Sequence, residues 1–130
     1  MDKNRQIECF NELVEKQREV MLSKGDDYAN QDRLSNFKSA AYICGLTTAQ
    51  HCLAMIATKV ARLGVLLDPK SPTPKHESVQ DSILDLANYA HLLNMILEED
   101  SREKVIEAVR IKNKTGLQIY EEDQKSNKFC

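Results

Sequence analysis

Residues 47–67 read TTAQHCLAMIATKVARLGVLL, and this stretch decides the fold. Thr47 followed three residues later by Gln50 is a capping-box signature for a helix start. No proline interrupts the run before Asp68-Pro69. At about 100° per residue, Cys52, Met55, Ile56, Val60, Leu63, Leu66 and Leu67 form one broad apolar arc. Two cations break the pattern: Lys59 lies inside the arc, between Ile56 and Leu63, and Arg62 sits at its edge beside Met55. A charge in an apolar arc costs free energy unless it is paired or reaches water. Either Lys59 runs out to solvent along its own stem, or the two cations line a pocket for an anion.

Outward from this helix the chain keeps the same period. The spacing of Ile7, Phe10, Leu13, Val14, Val20 and Met21 predicts a helix over about 3–23, stopped at Lys24-Gly25. The polar stretch 26–32 reads as a loop. A short helix over about 33–44 carries Leu34, Phe37, Ala40, Ala41 and Cys44 on one side and stops at Gly45. The segment DPKSPTPKH (68–76) holds all three prolines and is the clear interhelical loop. A fourth helix is predicted from about His76 to Glu98, and a fifth over about 101–114 behind a capping pair, Asp100 and Glu103. Nothing of useful length alternates with period two. The expectation is an all-α fold, an antiparallel bundle of about four to five helices with the first, third and fourth packed together. Residues 1–119 form one domain on this reading, and 120–130 form a loose polar tail. The apolar faces are wide for one copy, which predicts a homo-oligomer, most simply a two-fold dimer.

Composition narrows the function. The chain has 130 residues, 42% hydrophobic and 29% charged, enough to bury a core. A formal net charge of -2 argues against general nucleic-acid binding, but a local basic pair still suits a small phosphorylated ligand. No stretch approaches a membrane span, and the first residues lack a signal-peptide run. Cys9, Cys44, Cys52 and Cys130 show no metal-site spacing. Cys44 and Cys52 read as buried, reduced thiols, which predicts a cytoplasmic protein.

The fourth helix supplies a partner for the two cations. Glu77, Asp81, Asp85 and Asn88 recur at four, four and three residues, on one stripe. Val79, Ile83, Leu86, Ala90, Leu93 and Leu97 form the opposite, core-facing side. The polar stripe runs on into Leu92 and Met95, which predicts cover over it and makes Lys59 and Arg62 the counter-ions of its carboxylates. Three carboxylates also suit Mg²⁺. A third patch, KGDDYANQDRLSNF (24–37), gathers Lys24, Asp26, Asp27, Tyr28, Asn30 and Asn36 where a loop would cover a site.

The order K-G-D-D-Y, N-F, K-x-x-R-L, then ESVQDSILDLANYA (77–90), resembles a small, mostly phage-borne family described as nucleotide-modification-associated. The resemblance covers about residues 20–97. It implies a site of Lys24, Asp27, Tyr28, Asn36, Lys59, Arg62, Glu77, Asp81, Asp85 and Asn88. It also implies a place in the cytoplasm of an infected host. The role there is in modified-nucleotide metabolism, or in sequestering a nucleotide signal of host immunity as a means of evading host defence. More distantly, the layout is similar to the all-α nucleoside triphosphate pyrophosphohydrolases of the MazG and dimeric dUTPase type, which hold Mg²⁺ with acidic pairs on two helices. Lys59 and Arg62 stand where the first acidic pair would fall, and cations there repel a metal while suiting phosphate. The leading expectation is therefore a nucleotide-binding protein without a cofactor. In it Lys59 and Arg62 sit on phosphate and Tyr28 or Phe37 stacks on a base. The alternatives are a Mg²⁺-dependent pyrophosphohydrolase using Glu77, Asp81 and Asp85, and a structural or regulatory helical protein whose charges merely pair.

Overall fold

A computed structural model describes residues 1–28, 32–71 and 78–127, with the side chains of 24, 25, 27, 28, 126 and 127 left aside. It is all-α. Four helices follow in order: α1 Lys3–Tyr28, α2 Ser35–Cys44, α3 Thr48–Leu66 and α4 Val79–Asn127. No strand occurs among the described residues. The chain divides into two compact units, Met1–Ile96 and Leu97–Cys130, and α4 contributes to both.

The start of α3 is the predicted one. The Thr47 hydroxyl accepts from the Gln50 amide at 3.1 Å, and the Gln50 side chain accepts from the Thr47 amide at 2.9 Å. Two orphan donors of the first turn are thereby satisfied. Gly45 closes α2 in the left-handed region, at φ 66°, where a residue with a Cβ would be strained. Its amide and that of Leu46 turn back onto the Tyr42 and Ala41 carbonyls.

Three helix boundaries differ from the expectation. α1 runs through Gly25 to Tyr28 instead of stopping at 23. The cost of an interior glycine, about 1 kcal/mol, is offset by Arg33. That side chain donates to the Asp26 carboxylate at 2.6 Å and to the Leu22 carbonyl at 3.1 Å, one turn apart. α4 begins at Val79, with Ser78 and Asp81 exchanging cap hydrogen bonds at 3.0 and 3.4 Å. It then continues unbroken to Asn127, so the predicted restart at Asp100 and Glu103 does not occur. Neither glycine nor proline falls between Val79 and Thr115. The Ser101 hydroxyl turns back onto the Leu97 carbonyl at 2.8 Å, which keeps it inside the helix rather than capping a new one. The polar stretch 120–127 is helical too.

α2 packs on α3, and α3 lies antiparallel to α4. The Cys52 thiol donates to the Tyr89 carbonyl at 3.4 Å, and further along α3 Lys59 meets Asp85, earlier on α4. Phe37 of α2 fills the corner, edge-on to His51 at 6.0 Å and to Tyr89 at 6.2 Å. Among the described residues, the apolar ones buried most completely are Ala41, Cys52 and Ile96. Much of the predicted core faces solvent instead. On α1, Ile7, Phe10, Leu13 and Val14 are exposed, and so are Val60 of α3 and Leu67 at its C-cap. Cys44, expected to be buried, is exposed because it is the last α2 residue before the Gly45 turn, while Cys52 is fully enclosed. Burial pushes the Cys52 thiol up, so it stays protonated and donates to Tyr89. Among the described residues no single helix is long and apolar enough to cross a membrane. α2 and α3 reach that length and composition only as a pair bent by 90°.

The entry to α2 carries a pH-dependent tie. The Asp32 carboxylate accepts from Lys38 at 2.9 Å and from the Leu34 amide at 2.9 Å. The Lys38 ammonium first, and the Leu34 amide next, hold its carboxyl below the ordinary value of 3.8. A depressed folded-state value makes this contribution complete above the unfolded value and removes it as pH falls through the folded one. Asp32→Ala is therefore expected to lower stability by an amount that is constant at neutral pH and vanishes in acid. Urea unfolding of both proteins between about pH 7 and pH 2 reads that difference, and a gap that widens in acid contradicts it.

Candidate functional site

The seam between α3 and α4 gathers the polar residues that are most deeply placed. On α3 the inward line is Cys52, the adjacent Met55 and Ile56, then Lys59, Leu63 and Leu66, which recur at helical spacing. Lys59 stands in the middle of that line and is only 8% exposed. Across the seam, α4 turns inward Ser82, Asp85, Asn88 and Ile96. The inward face of α4 is thus rotated towards the polar stripe. Ile83, Ala90 and Leu97, expected in the core, are exposed.

Lys59 Nζ reaches Asp85 Oδ2 at 2.7 Å, with the two side chains 10% and 26% exposed. This is the pairing that an ammonium needs when its helix places it in an apolar line. Ser82, one turn before Asp85, is fully buried. Asn88, about one turn after it, is also buried, and its Oδ1 has no hydrogen-bond partner among the described residues. Buried side-chain acceptors are rarely left unsatisfied, and an orphan in a native structure asks for an explanation.

The other candidate residues fall in different places. Arg62, one turn beyond Lys59, is exposed. With Thr58, Ala61, Val65 and Leu66 it lines a shallow, open groove of about 480 Å³. Asp81 is exposed, and its carboxylate serves the α4 cap. Asn36 is exposed in the first turn of α2. Phe37 is half-buried and packs on His51 and Tyr89, so its ring is already taken by the corner between helices. Lys24, Asp27 and Tyr28 lie in the last turns of α1, and not in a loop, but their side chains are outside the described residues, as are Asn30, His76 and Glu77. Among the described residues no three His, Cys, Asp or Glu side chains stand together as a metal-binding group.

Helix-wheel reasoning missed Ser82. A serine between acidic positions gives no signal of its own, and its burial depends on how far α4 is rotated against α3. Comparison with protein-family models, with curated proteins and with solved structures returned no match. What fold and site define is a class: an all-α protein in which a buried lysine meets a half-buried carboxylate, with an unsatisfied amide oxygen about one turn along and an exposed guanidinium one turn away.

Proposed function

We propose that this chain binds a small phosphorylated ligand, a nucleotide or a nucleotide derivative, at the α3–α4 seam, and that it does so without metal and without hydrolysing the ligand. The observation that carries the reading is the unpartnered, buried Asn88 Oδ1 next to the Lys59–Asp85 pair. That acceptor asks for an N–H or O–H donor, and the amino group of a base or a sugar hydroxyl supplies one. The charge of Lys59 is balanced by Asp85, so the pair as a unit is close to neutral. Arg62, exposed one turn further along α3, adds a guanidinium whose planar fork matches phosphate oxygens. In a phage setting such a protein withdraws a nucleotide signal from its receptor or serves modified-nucleotide metabolism.

Two features weigh against the hydrolase. Asp81 is engaged in the helix cap and Asp85 is engaged by Lys59, whose positive charge opposes a divalent cation beside it. The test is incubation with a panel of nucleotides, cyclic and modified ones included, in Mg²⁺ and in excess EDTA. The bound fraction is then denatured and its ligand identified by mass spectrometry. The expected result is one ligand returned intact under both conditions. Pyrophosphate release that is abolished by EDTA and by Asp85→Asn replaces this reading with the pyrophosphohydrolase. Retention of no ligand replaces it with a purely structural role for the ion pair.

A further inference from the structure

A base amino group and a sugar hydroxyl are both donors that Asn88 Oδ1 accepts, and the groups beside it choose between them. Asp85 precedes Asn88 by three residues on α4. Side chains so spaced are neighbours on a helix, roughly 5–6 Å apart at Cβ. Both present acceptors to the seam. Asn88 is 7% exposed, with Oδ1 unpartnered among the described residues, and Asp85 brings a half-buried carboxylate. A group that meets the two together donates twice, in diverging directions. It is also neutral, because Lys59 Nζ stands 2.7 Å from Asp85 Oδ2 and repels a cation there.

A base edge fits these requirements poorly. Adenine sets a ring-nitrogen acceptor beside its amino group, which turns a lone pair towards the second acceptor. Guanine has two adjacent N–H donors, but they are fixed and parallel, so they converge on one carboxylate instead of spanning two side chains. A vicinal cis-diol fits well. Its hydroxyls are neutral, each donates once, and each rotates about its own C–O bond. With hydrogen bonds of about 2.7–2.8 Å at either end, the diol spans two acceptors several ångströms apart. The seam meets solvent at Asp85, whose side chain is 26% exposed, so a sugar reaches the deeper amide by passing the carboxylate.

We infer that the seam holds its ligand by the ribose and selects ribonucleotides over deoxyribonucleotides. The 2′- and 3′-hydroxyls donate to Asn88 Oδ1 and to the Asp85 carboxylate, one to each. Lys59 is a positioning residue, which keeps that carboxylate charged and in place. This specifies the sugar of the nucleotide proposed above and rests on that reading. A deoxy analogue leaves one acceptor desolvated and unmet, which costs more than the hydrogen bond alone.

The test is calorimetric titration of the full chain with adenosine, guanosine and uridine 5′-monophosphates, each beside its 2′-deoxy and 3′-deoxy counterparts. For every base that binds, each deoxy form is expected to bind about 10-fold or more weakly than the ribonucleotide. Asn88→Leu is expected to erase the discrimination against one of the two deoxy forms and to keep it against the other. Ribo and deoxy forms that bind the wild type equally overturn the inference and leave nucleotide binding standing. A preference among the three bases that exceeds the ribo-to-deoxy ratio, and that Asn88→Leu removes, puts the base on Asn88 and overturns it too. Binding of none of the three monophosphates also overturns it, and the nucleotide panel then decides the wider reading by itself. The wild-type ratios decide the matter even if Asn88→Leu fails to fold.

Discussion

Asp85→Ala is expected to lower the stability of the chain by about 2–3 kcal/mol, the loss for breaking a buried ion pair from one side, reduced because the Asp85 side chain is a quarter exposed. The cost arises at Lys59. α3 holds that residue between Ile56 and Leu63 on its most buried line, so its ammonium loses its carboxylate without gaining full access to water. Exchanging the pair for apolar side chains removes the problem with the charge. The double variant Lys59→Met with Asp85→Leu is expected within about 1 kcal/mol of wild type, since such exchanges are commonly neutral. Urea unfolding of the two single variants and the double closes the cycle. Single variants that each cost less than about 0.5 kcal/mol would show the pair to be a solvated surface contact.

The second expected result separates recognition from stability. Arg62→Ala is predicted to weaken binding of the phosphorylated ligand by about 10- to 100-fold, or ~1.5–3 kcal/mol, the size of a charged hydrogen bond. Because Arg62 is exposed, stability should stay within about 0.5 kcal/mol of wild type. Arg62→Lys should recover only part of the affinity, since an ammonium cannot grip two oxygens as the guanidinium does. Asn88→Leu gives the complementary signature. Leucine removes an orphan acceptor from the interior, so stability should hold or rise, while the ligand loses the group its donor meets. Calorimetric titration with the nucleotide that the panel returns, beside urea unfolding, reads both quantities. If Asn88→Leu unfolds the protein and Arg62→Ala leaves binding unchanged, the seam is structural and the ligand sits elsewhere.

Much of this was legible from local pattern. Helix type, the α3 start at Thr47 and Gln50 and the stop of α2 at Gly45 follow from interactions between residues three or four apart, and such interactions are present in the sequence itself. The neighbourhood of Lys59 and Asp85 was legible too. A cation in an apolar line needs an anion, and the next helix carried one stripe of them. Helix ends were less legible where a distant side chain intervened. Gly25 reads as a stop until Arg33, eight residues on, is seen to hold the carbonyl of Leu22 and the carboxylate of Asp26. Asp100 and Glu103 read as a restart, but with no Gly or Pro to break the ladder the backbone simply continues.

The rotation of α4 against α3 was settled only by tertiary packing. It buries Ser82 and Asn88, half-buries Asp85, and leaves Asp81 and Arg62 in solvent, although Asp81 and Asp85 lie on one stripe of the wheel. Phe37 went to the interhelical corner for the same reason: which aromatic ring fills a space depends on which helices meet there. A helix wheel shows which residues share a face. It does not show where on that face the neighbouring helix lies, because that depends on the fit of all the facing side chains at once. Period and capping therefore determined the elements, and the fit between α3 and α4 decided which of their polar groups became a site.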